Sequence, residues 1–307
     1  MADGEAWYSF PAYCRNTFGR KLYRVALDAG MTCPNRDGRI ATGGCIFCDE
    51  GGSGDFAIPY TGRKLHEDEL IYNSSHTGNG SYIAYFQAYT NTYAPVERLR
   101  MLYTAALEDP LFAGVSIATR PDCLGPQVMS LLRELKRSYP DKFIWIELGL
   151  QTRHDPTAMW IRRGYTLDVF YKACCDLCEA GIPFIVHMIL GLPFETEDMV
   201  LDTVRCINDV QAFGIKIQLL QYLKGTALGK MYEEHVVGME AMTEEAYVTL
   251  VTKCLGMLDP KIVVHRLTGD ADKELMIAPK WALHKRKVIN EIRHRMAKDG
   301  IVQGSLK

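Results

Sequence analysis

The distribution of apolar and polar positions predicts a chain in which strands and helices alternate. Six short runs of mainly apolar or aromatic residues are candidates for strands: 22–30, 81–89, 113–121, 142–150, 182–192 and 215–223. Runs of this kind, apolar at nearly every position, are typical of parallel strands that are covered on both faces. We therefore expect six buried strands.

The stretches between these runs have the apolar spacing of amphipathic helices. Four of them are 96–109, 127–139, 167–181 and 197–214, and the last two end in Gly181 and Gly214, which suit a helix C-terminus. Parallel strands need such crossovers, so the order predicts an α/β fold. An incomplete (β/α)6 barrel, similar to a TIM barrel, is favoured over a doubly wound open sheet. In both folds, functional side chains belong at the C-terminal ends of the strands.

The composition allows one main domain with terminal additions. The chain has 307 residues, of which 48% are hydrophobic, and this is enough for one large core. We expect an N-terminal extension (1–20), a barrel core (21–235) and a C-terminal extension of helices and strands (236–307) that packs on the core. The formal charge of −2 indicates no overall positive field for nucleic acid, although a local basic face is compatible with it.

The sequence has no feature of an exported or membrane protein. The longest strongly apolar run, 182–194, is too short to span a bilayer, and the N-terminus lacks a basic start and an apolar signal region. We therefore predict a cytoplasmic protein. Its ten cysteines then do not indicate a disulfide framework, and metal binding is the first alternative.

Three of these cysteines, Cys33, Cys45 and Cys48, lie in one loop directly after the first predicted strand. Three thiolates that hold an iron–sulfur cluster would leave one iron open to an external ligand. Glycines let the backbone approach a negatively charged cluster, and the loop has them at positions 43, 44, 51, 52 and 54. The spacing alone leaves two alternatives open: a structural zinc site with a fourth ligand such as Cys14, or buried free cysteines.

Several ordered motifs add to this interpretation. They are DAGMTCPNRDG, GGCIFCDEGGSGDF, YFQAYTNTYAP, ATRPDCL, ELGLQTRHD, RRGYT, HMILGLPFET and LLQYLKGTAL. Together they cover most of the chain, which resembles the YhcC-like radical S-adenosylmethionine (SAM) proteins, relatives of the catalytic subunit of Elongator. The sequence departs from the commonest radical SAM pattern in two places. Eleven residues instead of three separate Cys33 from Cys45, and YFQAYTN stands where many members have Gly-Gly-Glu.

The resemblance implies a radical SAM barrel and its chemistry. Cys33, Cys45 and Cys48 would hold a [4Fe–4S] cluster whose fourth iron is chelated by the amino and carboxylate groups of SAM. An electron from a donor such as flavodoxin or ferredoxin would cleave SAM to methionine and a 5′-deoxyadenosyl radical, which abstracts hydrogen from the substrate. The barrel would orient the reactants and exclude water.

The resemblance also implies a set of SAM contacts. The backbone at Gln87 and Ala88 would receive the amino group, Arg120 the carboxylate, Asp122 the ribose and Gly191–Leu192 the adenine, and the other polar contacts would be Glu147, Gln151 and Arg163. Glu147 stands in an apolar strand, where a buried carboxylate needs a ligand or an Arg partner. A structural Glu–Arg bridge and plain turns remain the alternatives for these sites.

Two further residues, His187 and Tyr222, are expected to point into the barrel. A single histidine in a strand is more often a satisfied core residue than a catalyst. Cys174, Cys175 and Cys178 fit a second cluster or a redox pair, but they also fit the buried face of an amphipathic helix.

The resemblance to Elongator implies tRNA, with the side chain of the wobble uridine as the expected target. A basic helix within 280–300 would face phosphates through Lys280, Lys285, Arg286, Lys287, Arg293, Arg295 and Lys298. A second basic group is Arg15, Arg20, Lys21 and Arg24. An ordinary solvated face explains both groups equally well.

Three hypotheses for the function follow. The first is a radical SAM enzyme that modifies tRNA. The second is a radical SAM enzyme that acts on a small molecule, peptide or protein. The third is a zinc-stabilised RNA-binding or scaffold protein without SAM chemistry.

Overall fold

The centre of the fold is a parallel sheet of eight strands. The computed structural model describes residues 5–49, 51, 57–74, 81–269 and 272–307. The strands of the sheet are β1 (Leu22–Asp28), β2 (Ile58–Pro59), β3 (Ser81–Phe86), β4 (Phe112–Thr119), β5 (Phe143–Gln151), β6 (Phe184–Leu190), β7 (Gly214–Leu219) and β9 (Val263–Arg266). Their order in space is β2-β1-β3-β4-β5-β6-β7-β9, and all neighbours are parallel. The six predicted strands are confirmed.

Helices connect the strands. They are α1 (Phe10–Phe18), α2 (Glu67–Ser74), α3 (Val96–Glu108), α4 (Pro126–Ser138), α5 (Asp155–Trp160), α6 (Leu167–Glu179), α7 (Glu197–Asp209), α8 (Ala227–Glu233), α9 (Glu244–Met257) and α10 (Lys285–Asp299). The four predicted crossover helices correspond to α3, α4, α6 and α7. Among the residues described, no helix has the length and apolar character needed to cross a membrane.

Of the two helix C-termini predicted from glycines, one is confirmed and one is wrong. Gly181 follows α6 with a φ of +61°, so its lack of a side chain serves the left-handed turn as predicted. The prediction for Gly214 is wrong, because this residue begins β7. The left-handed turn after α7 is made by Gln211 at φ +53°, two residues beyond the end of the helix.

Aromatic side chains close the N-terminal end of the barrel. Alternate residues of a strand share a face, and Trp145 of β5 projects to the base of the interior. There it packs against Phe10 of α1, with ring centroids 6.2 Å apart, and stacks on Phe143 at 3.9 Å. The segment predicted as an N-terminal extension therefore supplies the plug of the barrel. Substrates must enter from the opposite end.

The barrel is incomplete, as predicted. In the described part of the chain no ladder joins β9 to the β1–β2 edge, and the Nη2 of Arg24 meets the Nδ1 of His265 at 2.5 Å across the gap. Strand β9, the last of the eight strands in the sheet, comes from the predicted C-terminal extension. This extension also provides β10 (Met276–Ala278), which pairs antiparallel with β8 (Tyr222–Leu223). The domain boundaries at 20 and 235 stay a prediction.

One sequence-based expectation about the interior is wrong. The run 215–223 stops being a barrel strand at Leu219, and Tyr222 belongs to β8 outside the sheet. Its hydroxyl donates to the main-chain oxygen of Glu240 at 3.3 Å, and its ring lies beside Tyr232. Tyr222 therefore does not point into the barrel.

Candidate active site

The three cysteines of the loop border one cavity at the C-terminal end of the strands. Cys33, Cys45 and Cys48 are each partly exposed and line a cavity of about 550 Å³ that reaches down into the barrel. The loop turns tightly at two of them. The amide of Arg36 donates to the oxygen of Cys33 at 2.8 Å, and the amide of Cys48 donates to the oxygen of Cys45 at 3.0 Å. The arrangement presents three sulfur ligands to the same space.

Asn35 holds the two halves of this loop together. Its Nδ2 donates to the main-chain oxygens of Arg162 and Arg163 at 2.7 and 3.1 Å and lies 3.6 Å from the Sγ of Cys45. The main-chain oxygen of Asn35 accepts from the amide of Gly44 at 2.9 Å. Sequence reasoning did not single out Asn35, although it lies within the quoted motif DAGMTCPNRDG.

Burial disfavours the thiolate form of these cysteines unless iron binds them. Burial raises the pKa of Cys45 to about 12, and it also raises the pKa of Cys48 although Arg36 works against this. Thiolates are the form that binds iron, so a positive metal centre must offset their burial. Arg36 also braces the loop, because its Nη2 donates to the oxygen of Cys48 at 3.0 Å and to the oxygen of Asp49. Sulfur donors beside a basic group and two glycines with positive φ, Gly43 and Gly44, fit a negatively charged iron–sulfur cluster.

The fourth ligand expected for a structural zinc site does not lie beside the cysteine loop. The predicted fourth ligand, Cys14, lies on α1 in the cluster that plugs the opposite end of the barrel. Gly52 and Gly54, also predicted for this loop, lie outside the described residues.

The structure brings six of the nine predicted SAM contacts to the cavity. These six are Gln87, Ala88, Arg120, Glu147, Gln151 and Arg163. The other three have different surroundings. Asp122 is bound by Arg120, Gly191 packs against the side chain of Met242 at 3.5 Å, and Leu192 is buried in an apolar cluster. For Asp122, Gly191 and Leu192 the geometry favours the alternative of a structural turn.

Arg120 and Asp122 pair with each other. The Nε and Nη2 of Arg120 donate to the two carboxylate oxygens of Asp122 at 2.9 and 2.8 Å, and Nη1 donates to the oxygen of Arg163 at 2.9 Å. Although burial works against its charged form, the pairing with Asp122 raises the pKa of Arg120. Three of its five N–H groups are used in these contacts, so Asp122 orients a cation that stays available to an anionic group in the cavity.

Protein groups occupy the whole guanidinium of Arg163. All five of its N–H donors have protein partners: the oxygens of Leu150 and Thr152, the oxygen of Tyr165 twice, and the carboxylate of Asp155. No donor is left for a carboxylate of SAM. Its role here is to hold the turn after β5 against the loop that follows α5.

Two strand ends at the cavity carry strained backbone. Ala88 and Tyr89 after β3 have φ angles of +67° and +59°, and Gln151 at the end of β5 has +61°. Side chains other than glycine avoid this region at a cost of roughly 1–2 kcal/mol per residue, and such strain often lies at functional sites. At β3, Asn91 fixes the turn by donating to the oxygen of Ala88 at 3.1 Å.

Glu147 is paired inside the barrel, although not with arginine. It faces inward from the middle of β5 rather than from its end, and it accepts from Ser116 at 2.7 Å, from His187 at 2.6 Å and from the Nζ of Lys216. Burial opposes its charge, but Lys216 and then His187 outweigh this and keep its pKa well below the usual value. The expected partner was an arginine or a ligand; the observed partners are a lysine and a histidine.

Lys216 is a site residue that sequence reasoning missed. It is fully buried in β7, and burial lowers its pKa to about 7. The signal was present, because Lys216 is the one charged residue in the predicted strand IKIQLLQYL. His187 does face the cavity as expected, and burial followed by Lys216 lowers its pKa.

The cysteines of the CCDLC motif lie away from the cavity. All three belong to α6, where Cys174 is buried in the main apolar core and Cys175 and Cys178 are exposed. Of the three, only Cys174 lies on the buried face of the amphipathic helix as that alternative expected.

Three cysteines in a loop beside a barrel cavity are the arrangement expected above for a radical SAM enzyme. Comparison with known families indicates the same class of enzyme. Residues 36–207 match the family described as "Radical SAM superfamily", and residues 212–298 match the "Radical_SAM C-terminal domain". The chain belongs to the radical SAM superfamily. It is a radical SAM enzyme whose cofactors are a [4Fe–4S] cluster and SAM. The third hypothesis, a scaffold protein without SAM chemistry, is thereby overturned.

Two related proteins align with this chain over nearly its full length. Protein YtqA of Bacillus subtilis is 42% identical over 301 residues, covering 97% of this chain and 92% of YtqA. Protein YhcC of Escherichia coli is 32% identical over 292 residues, covering 94% and 91%. The resemblance to YhcC-like proteins is confirmed.

Solved structures share the fold. The Elp3 of Methanocaldococcus infernus has a TM-score of 0.65 at 15% identity over 92% of this chain and 64% of that chain. Coproporphyrinogen III oxidase (HemN) of Escherichia coli has a TM-score of 0.51 at 14% identity, over 80% of this chain and 54% of its own. At these identities the likeness concerns the fold alone.

A pair of neighbouring glycines tests the architecture of the loop. Gly43 and Gly44 both have positive φ, but an added Cβ meets nothing within 4 Å at Gly43 and would lie 2.9 Å from the Nε of Arg36 at Gly44. Alanine at either position should cost roughly 1–2 kcal/mol of backbone strain. Only Gly44→Ala should also displace Arg36 and release iron. Iron per chain after reconstitution and desalting measures this, and equal retention in both variants would contradict the bracing role of Arg36.

Proposed function

We propose that Cys33, Cys45 and Cys48 hold the cluster and that the cavity beneath them is the site of hydrogen abstraction. We further propose that the substrate is tRNA and that the target is the side chain of the wobble uridine. The observation that carries the first proposal is the single cavity that these three thiols share with the polar interior of the barrel.

The residues of the chain have distinct tasks in this proposal. With the cluster and SAM bound, the chemistry supplied is a 5′-deoxyadenosyl radical that removes a hydrogen atom. Arg120, oriented by Asp122, binds the carboxylate of SAM, and Gln87, Ala88 and Gln151 surround its polar end. The plug formed by α1 excludes water from the base of the barrel, which limits side reactions of a reactive intermediate.

The proposal of tRNA rests on the surface beside the cavity. The N-terminal end of α10 borders a second cavity of about 550 Å³, next to the first, and Gln221 and Lys285 line both. Lys273 and Arg286 also line it. Basic side chains at the mouth of a site suit the phosphates of a nucleic acid whose base enters the barrel.

The side chains in the rest of the predicted basic helix are less available to contact RNA. Lys287 pairs with Glu244 at 2.8 Å, and Arg295 lies 3.8 Å from Glu245. Arg293 lies over the ring of Trp7, 5.4 Å from its centroid. Lys280 donates to the oxygen of Met276, so it braces the start of the segment. We therefore assign RNA contact to the N-terminal end of α10.

The second predicted basic group is not one surface. Arg15, Arg20 and Lys21 are exposed at the plugged end of the barrel, whereas Arg24 points into the cavity. Because β1 begins at Leu22, the three exposed residues lie at the end of the barrel that is remote from the cysteines. They carry no part of the proposal.

Two more distant relatives bear on the substrate, and the name of the first includes tRNA. The tRNA uridine(34) acetyltransferase of Dehalococcoides mccartyi is 27% identical over 124 residues, covering 39% of this chain and 26% of that protein. Elongator complex protein 3 of Schizosaccharomyces pombe is 23% identical over 325 residues, covering 86% of this chain and 57% of that protein. The proposal also includes a cytoplasmic location and an electron donor of the flavodoxin or ferredoxin type.

Transfer of deuterium tests the substrate directly. The reconstituted enzyme is incubated with SAM, dithionite and tRNA isolated from cells grown in deuterated medium. The deuterium content of the 5′-deoxyadenosine is then measured by mass spectrometry. We expect deuterium in the deoxyadenosine, and we expect none when the tRNA lacks a uridine at the wobble position. Cleavage of SAM without any transfer from tRNA would favour the small-molecule, peptide or protein substrate.

The salt dependence of binding tests the RNA surface. Arg286→Ala removes an exposed cation at the proposed surface, and Lys21→Ala removes one at the remote end. If Arg286 contacts one phosphate, its replacement should reduce the slope of log K against log salt by about 1. Lys21→Ala should leave the slope unchanged. Equal slopes for Arg286→Ala and wild type would remove this end of α10 from the proposed interface.

A further inference from the structure

A buried amide side chain reaches one of the three sulfurs of the cysteine loop. The Nδ2 of Asn35 lies 3.6 Å from the Sγ of Cys45, which is within hydrogen-bond distance of a sulfur acceptor. The same nitrogen donates to the main-chain oxygens of Arg162 and Arg163 at 2.7 and 3.1 Å. Its two N–H groups therefore serve three acceptors, so at least one of them is shared.

The two main-chain oxygens fix the orientation of this amide. An asparagine can turn its oxygen or its nitrogen toward a neighbour, but carbonyl oxygens accept hydrogen bonds only from the nitrogen. The Oδ1 of Asn35 is then buried and has no hydrogen-bond partner among the residues that the structure describes. An unused buried acceptor costs free energy. That the fold accepts this cost indicates that the donors of the amide matter at this place.

Gly164 leaves the space that the amide occupies. Its φ is +85°, and an added Cβ would lie only 2.5 Å from the Oδ1 of Asn35. A side chain at position 164 would therefore push the amide out of its place. The amide is thus held from two sides, by the main-chain oxygens that accept from its nitrogen and by the close turn at Gly164.

A hydrogen bond to a sulfur ligand acts on the electron affinity of a cluster. A thiolate bound to iron is a stronger acceptor than a thiol, because it carries negative charge. Reduction by one electron adds negative charge to the cluster and its sulfurs, so a donor aimed at one of them stabilises the reduced form more than the oxidised form. Hydrogen bonds to the sulfurs are among the factors that set the reduction potential.

We propose that Asn35 is a positioning residue that donates a hydrogen bond to the thiolate of Cys45 and thereby raises the reduction potential of the cluster. The inference rests on the proposed function in one respect, because it takes Cys45 to be a ligand of the cluster. In the step concerned, the electron donor is oxidised and the cluster is reduced by one electron, and no bond forms or breaks. A higher potential makes the cluster easier to reduce.

Asn35→Leu removes the donor and keeps a branched side chain, and Asn91→Leu is the matched control. Asn91 is also buried, and its Nδ2 also donates to two main-chain oxygens, those of Ala88 and Ala118, at 3.1 and 3.2 Å. Its Oδ1 likewise lacks a partner in the described part of the chain. The two asparagines differ in the contact with sulfur, so the pair separates an effect on the cluster from the loss of a brace.

The readout is the reduction potential of the reconstituted cluster without SAM, from an anaerobic redox titration followed by electron paramagnetic resonance. Loss of a hydrogen bond to a charged group should shift the equilibrium about tenfold toward the oxidised cluster, which is about 59 mV for a one-electron couple. Asn35→Leu should therefore have a potential lower than wild type by about this amount. Asn91→Leu should keep the potential of wild type.

A second measurement detects the contact in a chain that keeps Asn35. In wild type with isotopically labelled nitrogen in its asparagine side chains, pulsed electron paramagnetic resonance should show a weak magnetic coupling of the reduced cluster to the label. Gly164→Ala should change this coupling because it displaces the amide. Gly38→Ala is its control, since Gly38 has a φ of +90° but an added Cβ would meet nothing within 4 Å.

Three outcomes would overturn the proposal: the potential of wild type in Asn35→Leu, an equal loss of potential in Asn91→Leu, or no coupling to the labelled nitrogen in wild type. If Asn35→Leu retained no cluster, the glycine variants would decide. A coupling changed in Gly164→Ala alone would support the proposal, and an unchanged coupling would overturn it. Failure of wild type to form any cluster would instead be a failure of the proposed function.

Discussion

Replacement of Cys45 by alanine should abolish SAM cleavage while leaving the fold intact. Cys45 borders the cavity with Cys33 and Cys48 and takes no part in the apolar core. Even outer partners of metal sites change affinity or activity 10–100-fold, so loss of a direct ligand should reduce deoxyadenosine formation by more than about 100-fold. The measurement is deoxyadenosine per chain after anaerobic reconstitution, together with bound iron and circular dichroism.

Cys175→Ala is the matched control. Cys175 is exposed on α6, outside the barrel, and should lose neither iron nor activity when replaced. The assignment of the loop would be wrong if Cys45→Ala still produced deoxyadenosine at the rate of wild type. It would also be wrong if Cys175→Ala lost the cluster.

Replacement of Glu147 by glutamine should be the most destabilising change in the barrel interior. Glu147 and Lys216 are both fully buried, and the variant leaves the lysine without its carboxylate. Breaking a buried ion pair by removing one partner costs about 3–5 kcal/mol. The expected result is a loss of that order in the free energy of unfolding at neutral pH, measured by urea denaturation.

The pH dependence of this loss has a definite sign. In the folded wild-type protein the pKa of Lys216 is already lowered to about 7 by burial, and in Glu147→Gln it falls further. In the unfolded chain the lysine keeps a pKa of about 10.4, so the unfolded state binds more protons and stability rises with pH in this window. As the pH rises toward 7, the folded wild type still holds the lysine proton that the folded variant has already released, so only the variant gains stability. Above pH 7 both folded forms have released the proton, so the deficit should be largest well below pH 7, shrink as the pH approaches 7 and stay constant above it.

A surface pair provides the control for this prediction. Glu134→Gln breaks the ion pair with Arg100, which is partly exposed between α3 and α4. Surface pairs are worth about 0–1 kcal/mol, so this variant should stay close to wild type. A deficit of Glu147→Gln that is equally small, or that grows with pH above 7, would contradict the buried Glu147–Lys216 pair.

The apolar runs predicted the barrel because each inner strand is covered on both faces. The additional strands gave no such signal. β2 and β8 have two residues each, and β9 ends in two polar residues: His265, which contacts Arg24, and Arg266, which lines the cavity. Tyr222 was predicted to lie in the barrel because the apolar run continues past Leu219. The pattern of apolar residues does not change at the point where the chain leaves the sheet.

The pairing of charges inside the barrel was harder to predict than their presence. Glu147 was recognised as a charge in an apolar strand, but its partner depends on how the strands are staggered. His187 pairs in register with Gly149 of β5 and with Lys216 of β7, which brings Lys216 to Glu147 across β6. Similarly, the sequence could not show that four main-chain contacts and the carboxylate of Asp155 occupy the donors of Arg163. These contacts depend on how separate segments pack in the fold, which no sequence motif describes.

The central claim is that the loop of Cys33, Cys45 and Cys48 holds a cluster that cleaves SAM. The most direct test is anaerobic reconstitution of wild type and of the triple Cys33/Cys45/Cys48→Ala variant with iron and sulfide, followed by assay with SAM and dithionite. Wild type should bind about four iron and four sulfide per chain and release deoxyadenosine and methionine in equal amounts, and the variant should do neither. Zinc bound tightly at about one per chain, with no iron–sulfur cluster and no deoxyadenosine, would contradict the account.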